Sequence, residues 1–190
     1  MAVRFDVDVT TDHYVSDDPE RPYPVPTAPA FIDAHGKLRT YAPAADLAEL
    51  AGRLLERHRE GALEVATGVR IAYAWRAAGG AKGHNAVLGA CKKLSDTERH
   101  IAYHMAGDDA KPPELLIWLA ADHLALSQTK IVEAALFHEL KHVGRRKGKA
   151  CVVEHDCEMF DDEVRILGLW RLPLRYANEA FRQMSLEVER

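Results

Sequence analysis

The 190-residue sequence predicts an α+β domain in which a short β-sheet of about three strands packs on two helices. The first observation is a helical pattern of leucines near residue 50, and the second is an alternating apolar pattern near residue 72. The third is a continuous apolar segment that is followed by a second helical pattern. The order of one helix, three strands and then helices is typical of the α+β class.

The composition indicates a globular protein. Hydrophobic residues make up 47% and charged residues 28% of the chain, which excludes a disordered or membrane-embedded protein. The longest apolar run, at 115–121, is too short to cross a bilayer, and the N-terminus carries acids where a secretory signal has an apolar core. Three cysteines without a CxxC pattern fit reduced thiols. We therefore expect a cytoplasmic protein without membrane contact, whose oligomeric state the sequence leaves open.

Residues 1–40 differ in composition from residues 41–190. Residues 1–40 are rich in proline, which lacks an amide donor and stops helices, so they are predicted to form an extended N-terminal arm. Residues 41–190 are predicted to form the domain. Within it, Leu47, Leu50 and Leu54 fall at helical spacing and predict a helix from about 44 to 59.

Three strands are predicted next. Residues 68–75 alternate with period two, and residues 86–94 follow a glycine-rich turn, so we expect these two strands to form a hairpin with a long loop. Ser95 and Glu98 resemble a capping box and predict a short helix. Residues 114–122 are continuously apolar and predict a third strand that is buried on both faces.

A long helix is predicted after the third strand. Ser127 is its candidate N-cap, and Gly144 is its candidate C-terminal stop. A basic loop at 145–149 and a short apolar segment at 150–153 come next. Further helices are predicted at 155–168 and, beyond Pro173, at about 175–187.

The segment LFHELKHV, at 136–143, contains the pattern HExxH. On a helix, His138 and His142 stack on one face one turn apart and can offer two imidazole nitrogens to one Zn²⁺ ion. Glu139 is rotated by about 100° from His138, so it is better placed to hold a water beside the metal than to bind the metal. Lys141 adds a cation inside the motif, and its side chain can point to solvent.

A third zinc ligand should come from the segment EHDCEMFDDEV at 154–164. We favour His155, because it lies at the start of a predicted helix, where an imidazole projects from a fixed backbone. Asp156 and Glu158 are alternatives, although acids in a first helical turn also serve the helix dipole. Cys151 and Cys157 lie near enough to be considered, but small buried thiols are common.

The residues quoted above resemble the phage metallopeptidase family of phage and prophage genomes. The resemblance covers about residues 41–170, and its sharpest parts are HELKH and HDxExF, the second of which spans His155 to Phe160. The chain is more distantly similar to SprT-like proteases. The resemblance implies a zincin-like domain with Zn²⁺ on His138, His142 and His155, and with Glu139 as the general base.

The expected activity is zinc-dependent hydrolysis of peptide bonds in a peptide or protein substrate. A group that stabilises the oxyanion is also expected, and Tyr176, Arg175 and His123 are candidates that no spacing supports.

Two other functions are compatible with the sequence. The same ligands could stabilise a non-catalytic zinc module, which could contact nucleic acid through the cations at 145–149. The net charge of −4 gives the whole chain no field that favours nucleic acid, and a solvated loop is the simpler interpretation of those cations. A metal-free helical adaptor is the third interpretation.

Overall fold

The structure is a computed structural model of the chain. It describes residues 18–26, 28–33, 35–82, 85–100 and 111–154. The helices predicted at 155–168 and 175–187 lie outside the described residues.

Helices and strands alternate irregularly along the chain. A 3₁₀ turn at Ala28–Phe31 comes first, and the helices are α1 (Ala45–His58), α2 (Glu64–Thr67), α3 (96–100), α4 (Ala121–Leu124) and α5 (Thr129–Lys141). The strands are β1 (Tyr41–Pro43), β2 (Ile71–Arg76), β3 (Ala81–Lys82), β4 (Asn85–Ala86), β5 (Gly89–Lys93), β6 (Leu115–Ala120), β7 (Val143–Arg146) and β8 (Lys149–Val152). This arrangement confirms the predicted α+β class with a small sheet.

Within the described ranges, the main sheet has four strands in the order β1-β2-β6-β5. Strands β2 and β6 are parallel, whereas β1 and β5 pair antiparallel with their neighbours. The predicted hairpin between β2 and β5 is therefore wrong, because β6 lies between them. Strand β6 is apolar, and its neighbours β2 and β5 pair with both of its edges. Five of its six residues are buried, so side chains on both faces are covered, as predicted. Strand β1 has only three residues, too few for a sequence pattern.

The core lies between one face of this sheet and the helices α1 and α5. Alternate residues of β2 and β6 point toward the helices, and the largest fully buried side chains include Trp75, Leu115, Ile117, Leu119, Leu47, Leu54, Leu136 and Phe137. His58 of α1 packs edge-on against Phe137 of α5, with ring centroids 5.2 Å apart. Burial of apolar side chains of this size stabilises a domain by about 1.5–3 kcal/mol each. Within the described residues, no helix has the length and apolar character that a bilayer crossing requires.

Helix α1 confirms the prediction to within one residue at each end, whereas both ends of α5 differ from it. The N-cap of α5 is Gln128 and not Ser127. The cause is the N-terminal arm, since the Tyr23 amide donates to the Ser127 carbonyl at 2.8 Å and the Thr129 amide donates to the Arg21 carbonyl at 2.7 Å. The helix ends at Lys141, before Gly144, because β7 begins at Val143.

The predicted capping box is confirmed. The Ser95 amide donates to the Glu98 carboxylate at 2.7 Å, and the Glu98 amide donates to the Ser95 hydroxyl at 3.2 Å. These reciprocal bonds satisfy two amide donors at the start of α3, and Lys92 adds an ion pair to Glu98 at 2.7 Å. Together they lower the pKa of the Glu98 carboxyl to about 2, with the hydrogen bond from Lys92 as the main cause.

The described part of the arm contributes side chains to the core. Tyr23 and Phe31 are buried, and the Tyr23 ring lies 6.1 Å from the Trp75 ring. Trp75 Nε1 donates to the buried carboxylate of Asp46 at 3.0 Å. Burial, together with the negative charge of Asp46, raises the pKa of the Tyr23 hydroxyl above its ordinary value. The domain boundary expected after residue 40 stays a prediction, but residues on both sides of it share one core.

We expect Tyr23→Ala to lower the free energy of unfolding by about 3 kcal/mol, because it removes a buried aromatic ring from the core. Pro24→Ala, at the exposed neighbouring position, is the control and should change the stability by less than about 0.5 kcal/mol. Urea unfolding followed by tryptophan fluorescence measures both. Equal midpoints for the two variants would mean that the arm does not stabilise the domain.

Candidate metal centre

His138 and His142 lie one turn apart at the C-terminal end of α5. Their Nε2 atoms are 3.3 Å apart, and their rings are nearly perpendicular, at 84°. Two nitrogens that each bind one zinc ion at 2.0–2.1 Å in a tetrahedral shell are separated by about 3.3–3.4 Å. The positions of the two imidazoles therefore fit a shared tetrahedral metal ion.

The orientation of His142 is set by a backbone group. Its Nδ1 lies 2.6 Å from the carbonyl oxygen of Val153, which can only accept a hydrogen bond. The proton of a neutral His142 ring is thus on Nδ1, and the lone pair is on Nε2, the atom that faces His138. Histidines that bind metals commonly donate their second nitrogen in this way. The sequence contains no signal for this contact, because a carbonyl oxygen is present at every residue.

Gly144 allows Val153 to approach. A Cβ atom at Gly144 would lie 2.3 Å from Cγ2 of Val153 and 3.4 Å from Sγ of Cys151. The role predicted for this glycine, the stop of the preceding helix, is therefore wrong. Gly144 is a buried residue of β7, and its missing side chain leaves room for the strand that returns to His142.

Glu139 is buried, with 6% of its surface exposed, and lies against the edge strand β5. A Cβ atom at Gly89 would come within 3.0 Å of Glu139 Cγ, so the absence of that atom makes room for the carboxylate side chain. Burial, together with the negative charge of Glu139, raises the pKa of the neighbouring Cys91 thiol to about 12. Cys91 is thus a neutral thiol near pH 7. A glycine inside a strand is a signal of close approach that the sequence did contain.

Lys141 and His123 each form a hydrogen bond that the sequence did not predict. Lys141 does not simply extend into solvent, since its Nζ donates to the carbonyl oxygen of Ala62 at 3.0 Å and ties the end of α5 to the loop after α1. His123, a candidate for stabilising an oxyanion, has its Nε2 2.8 Å from the carbonyl oxygen of Gly80.

The third predicted ligand cannot be placed in this geometry. His155, its alternatives Asp156 and Glu158, and the candidates Arg175 and Tyr176 lie outside the described residues. Cys157 lies there too, whereas Cys151 is on β8 with its sulfur toward Gly144. In the part of the chain that the structure describes, no group of three His, Cys, Asp or Glu side chains is arranged to hold a metal ion.

Comparison with protein families agrees with the motif. Residues 39–185, about three quarters of the chain, match the family described as "Putative phage metallopeptidase". The chain belongs to this family, whose description implies a metal-dependent peptidase. No curated protein and no solved structure matches the chain.

We expect Gly89→Ala to destabilise the domain by about 1–3 kcal/mol, because the added Cβ would lie 2.9 Å from the Trp118 carbonyl oxygen and 3.0 Å from Glu139. Gly52→Ala is the matched control. No atom lies within 4 Å of a Cβ there, and Gly52 is exposed on α1, so this change should stabilise the protein by about 0.5–1 kcal/mol. Chemical denaturation of both variants measures the two effects, and a stabilised Gly89→Ala protein would contradict the close contact.

Proposed function

We propose that the protein is a zinc-dependent metallopeptidase whose centre lies at the C-terminal end of α5. The observation that carries this proposal is the 3.3 Å separation of the His138 and His142 Nε2 atoms. Glu139, the residue that directly follows His138, is buried. Membership of a metallopeptidase family supports the same function.

The proposed ligands are His138, His142 and His155, which leave one tetrahedral position open to water or substrate. When bound, zinc would supply a Lewis acid that lowers the pKa of water toward about 7 and polarises a peptide carbonyl. The hydrogen bond from His142 Nδ1 to the Val153 carbonyl would keep the ligand nitrogen deprotonated and correctly aimed.

Glu139 is the proposed general base. Its carboxylate would accept a proton from the attacking water and would then donate that proton to the leaving amine. The residue follows His138 directly, so the helix itself places the base beside the ligand pair. Glu139 also lies against β5, which ends the four-stranded sheet. No described strand forms ladder hydrogen bonds with the outer edge of β5, although β8 lies close to this strand. An extended peptide added at that edge would pass beside the base.

We expect Glu139→Gln to keep the fold and the bound zinc but to lower the rate of casein cleavage by about 10²–10⁴-fold, the usual contribution of a general base. Glu49→Gln, at an exposed position of α1, is the control and should retain full activity. Circular dichroism, zinc content and cleavage with and without a chelator are measured together. Full activity of Glu139→Gln would exclude Glu139 as the base.

The ligand set is tested by zinc content. We expect His138→Ala and His155→Ala each to lose the stoichiometric zinc of the wild-type protein, whereas Asp156→Asn and Glu158→Gln should keep it. Elemental analysis after dialysis gives the readout. Loss of zinc from Asp156→Asn or Glu158→Gln, with retention in His155→Ala, would move the third ligand to that acid. Stoichiometric zinc in a wild-type protein that cleaves no substrate would favour the non-catalytic zinc module.

A further inference from the structure

The hairpin formed by β7 and β8 carries a positively charged tip. Residues 145–149 read Arg-Arg-Lys-Gly-Lys, and all five are exposed. The sequence predicted a solvated loop here. The residues are exposed, but they are not a loop, because they continue a regular antiparallel ladder up to a two-residue turn. We call Arg146, Lys147 and Lys149 the basic tip. It stands out against a net charge of −4 for the whole chain.

Two features of the basic tip oppose local stability. Arg146 and Lys149 are direct cross-strand partners, and like charges in that position repel each other. Lys147 has a φ of +52° and Gly148 a φ of +76°, which is the backbone of a turn whose first position favours asparagine or glycine over lysine. The tip therefore carries cations at positions where charge repulsion or backbone conformation disfavours them. Departures of this kind are expected where a residue serves binding and not folding.

The hairpin is anchored next to the basic tip by Arg145 and at its base by Val153. The Arg145 guanidinium donates to the carbonyl oxygens of Gly68, in the loop after α2, and of Gly148, the latter at 3.2 Å. Val153, just after β8, accepts the hydrogen bond from His142. Arg146 lies three strand positions beyond Val143, or about 10 Å at 3.3 Å per residue. The basic tip is therefore presented at a fixed distance from the candidate metal centre.

We propose that the basic tip binds the phosphate backbone of double-stranded DNA without reading its sequence. A two-stranded β-ribbon fits the major groove of B-form DNA, which is about 12 Å wide, but not the deep and narrow major groove of duplex RNA. The tip consists of Arg, Lys and Gly, so it contains no apolar or aromatic side chain that would form a pocket for an acidic peptide. Contacts from cations to phosphates need no such pocket. This proposal does not depend on peptidase activity.

The test uses the full chain and a fluorescein-labelled DNA duplex of arbitrary sequence, with binding followed by anisotropy at several salt concentrations. The variant is Arg146→Gln, Lys147→Asn and Lys149→Gln together. Each lost phosphate contact should reduce the slope of log K against log salt by about 0.9, so the triple variant should lose up to about 2.7 in slope and at least about tenfold in affinity at low salt. The control replaces Lys37, Arg59 and Lys111, which are exposed elsewhere, by glutamine. It removes the same charge and should retain binding.

Lys147→Asn alone separates binding from folding. Asparagine suits a positive φ better than lysine, so this variant should have an unchanged or higher urea midpoint while its affinity for the duplex falls. The proposal is overturned if the wild-type chain does not bind the duplex, or if the tip variant and the charge control lose affinity equally. It is also overturned if polyglutamate or duplex RNA competes as well as unlabelled DNA, because the surface would then recognise a different partner.

Discussion

The hydrogen bond from His142 to the Val153 carbonyl joins the end of α5 to the end of the β7–β8 hairpin. The Val153 amide donates in return to the His142 carbonyl at 2.8 Å, so the two residues continue the register of the hairpin by one position beyond its last strand pair, Val143 and Val152. A slip of one residue in the hairpin would remove this carbonyl and release the imidazole. The approach of His142 to His138 thus depends on strand register as well as on helical spacing.

The connection between α1 and β2 forms hydrogen bonds with both the end of α5 and the β7–β8 hairpin. The Ala62 carbonyl in this connection accepts a hydrogen bond from the Lys141 ammonium of α5. The Gly68 carbonyl accepts one from the Arg145 guanidinium of β7. The helix end and the hairpin are therefore anchored to the same neighbour. The buried polar side chains next to them, His138 and Glu139, are costly to desolvate, and such groups are concentrated at functional sites. The two proposals, a metal centre at the base of the hairpin and a DNA contact at its tip, share this support.

Sequence patterns predicted the elements that depend on interactions between residues close together in the chain. The stripe of leucines in α1, the apolar run of β6 and the capping box of Ser95 and Glu98 were all predictable, because each depends on residues a few positions apart. The order of the strands could not be predicted. The pairing of β2 with β6 joins segments about 40 residues apart through backbone atoms, which are the same at every residue. The start of α5 differs from the prediction for the same reason, because the residues there form backbone hydrogen bonds with the arm around Tyr23.

For the candidate site, the sequence by itself determined that two imidazoles lie on one helical face, because a spacing of four residues imposes it on any α-helix. His155 as third ligand stays a prediction from the sequence. Only the tertiary structure decided which carbonyl orients His142, which glycine makes room for Glu139, and that the basic segment is a hairpin fixed to the site. These are contacts between segments distant in the chain, and packing of the whole domain selects them.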